Sequence, residues 1–419
     1  MSAPLSGFVT DLVCVLCGRH VPDGDVQTCP ACGAEGILDV RYDYDRVART
    51  LTRESLSGRS ADQWRYGELI PISPLVPKPA VHIGWTPVCE VPRLAREVGA
   101  ARLFIKDEGR NPTASFKDRA SSVAVMKAVE FGARTVACAS TGNAASSLAG
   151  LSASVGIRSV IFLPERAPEP KVTQLLVFGA TVVKVRGTYE QAFDLCRSAC
   201  EKFGWYNRNS GTNPFCVEGK KTAGLEIAEQ FGPAVPDWVV VSVGDGCTVG
   251  GIGKGLDEMH RLGFIPRVPR LLGVQAECAR PIVNAFESGA GLVPTSAHTI
   301  ADSIAVGTPR NWRRALAVIK NSGGSMIAVP DSEILEAIRI TARLGGVFGE
   351  PAGVAGVAGL RRGIASGVIG KDESVLVVIT GNGLKDIDSA RRAAGEPISI
   401  SPDMSSLEEA LAQGGVTVH

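Results

Sequence analysis

The chain has 419 residues, 45% hydrophobic and 21% charged, enough apolar material for two domains with cores and too much for disorder. Its 44 basic and 43 acidic residues cancel, so no overall field draws it to nucleic acid or a membrane surface. No apolar run reaches the roughly eighteen residues of a membrane span, and MSAPLSGFVTDLVC lacks the basic-then-apolar order of an export signal; the expectation is a cytoplasmic protein.

The chain opens on two cysteine knuckles. Cys14-Val-Leu-Cys17-Gly18 and Cys29-Pro-Ala-Cys32-Gly33 offer four soft thiolates, and the glycine after each pair lets backbone amides turn toward the sulfurs. Four thiolates leave no open coordination position, so the expected ion is a structural Zn(2+). In a segment too short for its own core it would supply most of the folding free energy, on the order of 10 kcal/mol. A redox pair, a ribbon that has lost its metal and a nucleic-acid-binding ribbon are the alternatives, the last disfavoured by the few Lys and Arg nearby. The other seven of the eleven cysteines have no framework spacing and read as small buried hydrophobes in a reducing compartment.

Residues 40–80 are mixed and contain Pro (PISPLVPKP), as in a linker lying across the main body. From about residue 100 the runs RLFIKDE, RTVACAS, SVIFLPE, TVVKVRG, WVVVSVG, RLLGVQAE and SVLVVIT read as buried strands. Helical stretches at Ala145–Val155, Tyr189–Phe203, Glu218–Phe231, Gly253–Leu262 and Asp331–Leu344 alternate with them. That alternation predicts parallel sheet covered by helices, with ligands beyond the carboxyl ends of the strands. The tail beyond Pro397 is polar, with one short helical stretch.

Three loops are candidates for chemistry. Asn111-Pro-Thr-Ala-Ser-Phe-Lys-Asp-Arg119 leads into a helix, and a helix start with partial desolvation lowers the pKa of Lys117. An amine so placed condenses readily with an aldehyde, although a lysine at a helix start is more often a solvated surface residue. Ser140-Thr-Gly-Asn-Ala-Ala-Ser-Ser147 follows a strand and presents hydroxyls, an amide and free N–H groups suited to a carboxylate; a plain N-cap is the bland reading. Gly244-Asp-Gly-Cys-Thr-Val-Gly-Gly251 also joins strand to helix and exposes N–H donors to a phosphate. It matches neither the dinucleotide fingerprint nor the nucleotide-binding GKS/T loop.

Taken in order, GWTP (84–87), KDEGRNPTASFKDR (106–119), STGN (140–143), EGKKTAGLEI (218–227), GVFGEPAGVAG (346–356) and TGNGLKD (380–386) resemble threonine synthase. More broadly they resemble the tryptophan-synthase-β-like, fold type II class of pyridoxal-phosphate enzymes, from about residue 76 to 396. The resemblance implies an α/β fold with two doubly wound parallel-sheet domains plus an N-terminal zinc-ribbon-like segment. It divides the chain into that segment (1–40), the linker and first part of the large domain (41–117), a small domain (118–215), the rest of the large domain (216–396) and a tail (397–419).

The resemblance also implies roles. Lys117 holds pyridoxal 5'-phosphate as a Schiff base and moves protons at the substrate α-carbon and beyond. Asn143 bonds the cofactor's phenolic oxygen, and Ser140, Thr141 and Gly142 meet the carboxylate of a small amino-acid substrate. The cofactor phosphate rests on Gly244, Asp245, Gly246, Cys247 and Thr248, and Thr380 meets the pyridine nitrogen. A hydroxyl there need not keep that nitrogen protonated, which favours elimination and replacement over transamination. Glu350 either orients the pocket wall or caps a loop. The implied protein is a homodimeric lyase of amino-acid metabolism, with no nucleic-acid or membrane partner.

Three places depart from the family pattern at the substrate-phosphate subsite: Ala144 stands for a Thr, Phe215-Cys216 follows Asn213-Pro214 where an Arg is typical, and Asp245 stands in a loop usually rich in Asn. They predict weak turnover of O-phosphohomoserine unless Lys220, Lys221 or Arg208 takes over. O-Phosphohomoserine to threonine is still the best single reaction; a serine/threonine-type dehydratase or a β-replacing synthase such as cysteate synthase is the alternative. A non-catalytic zinc-ribbon scaffold is the alternative of another class.

Overall fold

The computed structural model of the chain describes residues 7–22, 24, 26–167 and 169–413. The N-terminal strand β1 (Val9–Cys14) pairs antiparallel with β2 (His20–Val21) and β3 (Leu38–Tyr42). The later strands are β4 (Val88–Glu90), β5 (Arg102–Asp107), β6 (Thr135–Ala139), β7 (Arg158–Pro164), β8 (Thr181–Val185), β9 (Tyr206–Asn207), β10 (Trp238–Ser242), β11 (Arg270–Ala276), β12 (Ser325–Val329) and β13 (Ser374–Ile379). The first seven helices are α1 (Tyr44–Thr50), α2 (Arg53–Ser57), α3 (Pro92–Val98), α4 (Lys117–Glu130), α5 (Asn143–Val155), α6 (Glu169–Val177) and α7 (Tyr189–Phe203). They are followed by α8 (Pro214–Phe231), α9 (Cys247–Arg261), α10 (Pro281–Ser288), α11 (Trp312–Asn321), α12 (Asp331–Gly345), α13 (Pro351–Ala365), α14 (Ile387–Ala394) and α15 (Met404–Gln413).

Two larger sheets give two sheet-containing α/β domains. One has the order β12-β11-β10-β13-β5-β4 and the other β8-β7-β6-β9. All their pairings are parallel except β4 with β5. The central strand β10 carries Val239, Val240 and Val241, all fully buried, as a strand covered on both faces requires. The antiparallel β4 is only three residues long, a short edge that closes the sheet. The seven strand runs read from the sequence are β5, β6, β7, β8, β10, β11 and β13.

Residues 40–80 differ from the expected linker. They form α1, α2 and a helical turn over 63–69, and Trp64, Tyr66, Leu69 and Ile70 are buried. Apolar burial, not chain flexibility, sets this segment's path. Of the seven scattered cysteines, five are buried, but Cys89 and Cys278 are exposed. Among the described residues no helix is long and apolar enough to cross a membrane.

A buried ion ladder seats the N-terminal sheet on the large domain. Lys254 lies 3.0 Å from Asp39 and 2.7 Å from Glu218; Lys221 lies 2.6 Å from Glu218 and 3.0 Å from Glu258. Tyr42 donates to Glu218 at 2.6 Å, and Arg314 closes on Asp39 at 3.0 Å. Three carboxylates thus meet three cations at the junction of β3 with α8, α9 and α11, which meets the condition for burying charge.

Candidate active site

Lys117 is the first residue of α4, and the turn before it is fixed from several sides. Asp118 accepts from the Thr113 amide at 2.7 Å and its hydroxyl at 2.5 Å. Arg119 is fully buried and bonds both Glu108 (2.7 Å) and Glu226 (2.6 Å), while Lys106 also reaches Glu226 at 3.0 Å. Ala114 sits at φ 61°, a left-handed backbone that a non-glycine residue holds only when its surroundings impose it. Those surroundings include Thr380–Asn382, because the Thr380 carbonyl accepts from the Phe116 amide at 2.9 Å and the Asn382 amide donates to Ala114 at 3.0 Å. Thr380 is thereby fixed beside the Lys117 turn.

The Lys117 amine is pushed down to about 8. Burial is the largest cause, Lys220 and Arg208 add to it, and Glu350 opposes them. Glu350 is buried and stands at the N-cap of α13, yet its carboxylate makes no cap bond; it accepts from Asn143 Nδ2 at 2.7 Å. Its carboxyl is shifted upward, by burial first, with Lys385 and Lys117 acting against that.

A cavity of about 300 Å³ opens at this point. Thr141, Gly142, Asn143, Ser146, Ser303, Glu350 and Lys385 contribute to its walls, as do Lys171 and Asp302. Ser140 does not line it; its hydroxyl turns inward and accepts from the Gly142 amide at 3.2 Å. Lys171, Asp302 and Ser303 come from α6 and from the segment after α10, whose sequences carry no motif. Lys385 lies within TGNGLKD, the one signal that could have found it.

The glycine turn lies against the same segment. A Cβ on Gly244 would come within 3.0 Å of Ile304 Cα, and one on Gly246 (φ 92°) within 2.8 Å of the Asn311 carbonyl, so both positions demand glycine. Asp245 does not present its charge freely. Its carboxylate accepts from the Arg310 amide (2.7 Å), Cys247 Sγ (3.0 Å) and Asn311 Nδ2 (3.3 Å), and its carbonyl accepts from the Asn311 amide (3.0 Å), which leaves its backbone N–H as the free part. Burial pushes the Cys247 thiol up to about 12, so it is no thiolate nucleophile. Thr248 is half-buried in the first turn of α9.

In the N-terminal segment, the ligand atoms of Cys14, Cys17, Cys29 and Cys32 lie within 4.8 Å of one another, a cluster that can hold a metal ion. Gly18 (φ 71°) and Gly33 (φ 58°) make the tight turns, and their amides donate to the carbonyls of Cys14 and Cys29 at 2.9 Å.

Comparison with known proteins agrees with this geometry. A family profile described as pyridoxal-phosphate dependent enzyme matches residues 80–381. The threonine synthase of Methanocaldococcus jannaschii is 40% identical over 402 residues, which cover 95% of this chain and 98% of the relative. That of Methanosarcina acetivorans is 40% identical over 406 residues, 96% of this chain and 98% of the relative. Among solved structures, the diaminopropionate ammonia lyase of Escherichia coli superposes with a TM-score of 0.64 at 20% identity, covering 82% of this chain and 92% of the other. Maize serine racemase gives 0.63 at 20% identity, over 78% and 92%.

Proposed function

We propose, from the premise that this chain belongs to the pyridoxal-phosphate dependent enzyme family and uses that cofactor, that it eliminates or replaces a substituent at the β or γ carbon of an amino acid. O-Phosphohomoserine, converted to threonine, is the substrate we put first. Near-full-length relatives named threonine synthase support that choice. The observation that carries the reading is the Lys117 amine, half-buried and lowered to about 8 beside the cavity.

The residues fit the cofactor. An amine with a lowered pKa suits its aldehyde, and the Gly244–Thr248 turn, packed too tightly for a Cβ at Gly244 or Gly246, gives a phosphate close access to the start of the fifteen-residue α9. When bound, the cofactor supplies an electron-accepting ring that stabilises negative charge at the substrate α-carbon. Lys117 Nζ takes the α-proton and returns it farther along the substrate. Thr141 and Gly142 hold the substrate carboxylate at the start of α5, with Ser140 bracing their turn. Asn143, steadied by Glu350, orients the cofactor ring through its phenolic oxygen, and the Thr380 hydroxyl meets the ring nitrogen. The four N-terminal thiolates hold a structural zinc ion, and the protein works as a cytosolic homodimer.

Incubation with O-phosphohomoserine should release inorganic phosphate and threonine in equal amounts. Lys117→Ala should abolish both together with the visible absorbance of lysine-bound cofactor. Release of a 2-oxo acid from serine or threonine, without threonine synthesis, would move the assignment to a dehydratase. A colourless protein that does not bind the cofactor would leave the non-catalytic scaffold. Elemental analysis should find one zinc per chain.

A further inference from the structure

The surface between α12 and α14 carries a cavity of about 330 Å³ that shares no lining residue with the active-site cavity. Ile338, Phe348, Ile387 and Ala390 give it apolar walls, and Arg343 and Arg391 stand among them, both exposed. Neither arginine makes an ion pair among the described residues, and no acidic residue lines the cavity. The third arginine there, Arg339, is already held by Glu336. An apolar groove with uncompensated positive charge suits an occupant that is itself apolar and acidic.

The chain carries such a segment. α15 sets Met404, Leu407 and Leu411 at i, i+3 and i+7, which puts them on one face of the helix. Glu408 flanks that face and Glu409 follows it; neither is paired among the described residues, and the helix has no basic residue. The stripe is poorly covered where it stands: Met404 is 65% exposed, and none of residues 404–412 is buried. So short a helix is marginal in water by itself and gains its stability by packing an apolar face on a surface.

The helix is badly placed for the groove of its own chain. Ala394, the last residue of α14, lines the cavity, so the tail departs from the groove's edge, while no residue of α15 lines it. From there residues 394–405 are all exposed, and the connection over 395–403 forms neither helix nor strand. Pro397 and Pro402 fix φ and keep that run extended. At about 3.3 Å per residue it can carry α15 roughly 30 Å from its point of departure, outward instead of back.

We infer that the groove between α12 and α14 is an interface between two copies of this chain, each groove receiving α15 of the other. Met404, Leu407 and Leu411 enter the apolar cavity, and Glu408 and Glu409 meet Arg343 and Arg391. The exchange is reciprocal, as a two-fold pair requires, so every contact is made twice. It holds whatever reaction the active site performs.

Sedimentation velocity over a dilution series of the full-length protein tests this. Arg343→Glu with Arg391→Glu reverses the groove, and Glu408→Lys with Glu409→Lys reverses the helix. Each doubly substituted chain alone should dissociate at least tenfold more readily than wild type. Mixed one to one, the two should regain wild-type association, because both grooves then face a helix of opposite charge. Leu407→Ser with Leu411→Ser should weaken association at least as far, and neither charge variant should rescue it. These residues lie outside the core, and unchanged circular dichroism and cofactor absorbance should confirm that each variant folds. Were the groove variant to misfold, the two helix variants would still decide the matter. Three results overturn the inference: helix variants that associate as wild type, a mixture no tighter than its separate components, or a wild-type chain that stays monomeric. Failure of the mixture to recover would assign α15 to its own groove or to an acidic peptide of another protein.

Discussion

The amine of Lys117 determines how the protein acquires its cofactor. An ordinary lysine at 10.5 is almost wholly protonated near neutrality, whereas one lowered to about 8 offers a usable fraction of free amine. The charged form is the disfavoured one, so capture of the cofactor by stripped protein should accelerate through pH 8 and level off above it. Lys220→Met removes the largest like charge and should move that inflection upward; a rate that keeps rising to pH 10 in the wild type contradicts the assignment. Arg119 fixes the same turn from behind. Replacing it with Leu leaves Glu108 without its cation and Glu226 with Lys106 alone, at a cost of about 3–5 kcal/mol. Denaturant midpoints should fall accordingly, and Lys at the same position should recover only part because it lacks the forked donors.

Between elements, the controlling contact is α8 against α9. A Cβ at Gly224 would sit 2.2 Å from the Ile252 carbonyl, and one at Gly255 2.3 Å from that of Lys221, so the two backbones touch directly. Gly255→Val should force them apart, costing about 3 kcal/mol or more and loosening the glycine turn at the head of α9. Weaker cofactor retention alongside the lower melting temperature is the expected signature; unchanged retention would mean that the turn is held independently of the helix. The thiolate cluster acts at another level. Removing its ion with a chelator should raise amide exchange across β1–β3 while the visible absorbance persists, since no cluster residue reaches the cavity. Absorbance lost before that exchange rises would contradict a purely structural role.

Across the whole molecule, what could be read from the sequence was what is local. Seven strand runs were legible because buried parallel strands are continuous apolar stretches, and Tyr189–Phe203 was read to its exact ends, which the structure caps with a Thr188–Gln191 box at the start and left-handed Gly204 at the finish. The strand β12 escaped notice, since Ser325 follows two glycines and its first and third residues are only half-buried. The turns around Lys117, Asn143 and Cys247 could be seen as loops after strands, but not Lys171, Asp302 and Ser303, which meet them only through tertiary folding. Nor could the sequence say that Asp245 would be occupied by Arg310 and Asn311, or that Lys220 and Lys221 would part company. Those outcomes depend on which way a side chain turns.

The ladder of charges under β3 means that the first forty residues cannot be treated as a detachable ornament. A chain beginning at Tyr44 would lose Asp39 and Tyr42, leaving Lys221, Lys254 and Arg314 against Glu218 and Glu258 alone. One surplus positive charge would then be stranded on freshly uncovered apolar surface, and such a truncation should come out of the cell as aggregate. Neutralising the surplus with Arg314→Met should restore some soluble yield, whereas a truncation that dissolves without this help would show the junction to be looser than its hydrogen bonds imply.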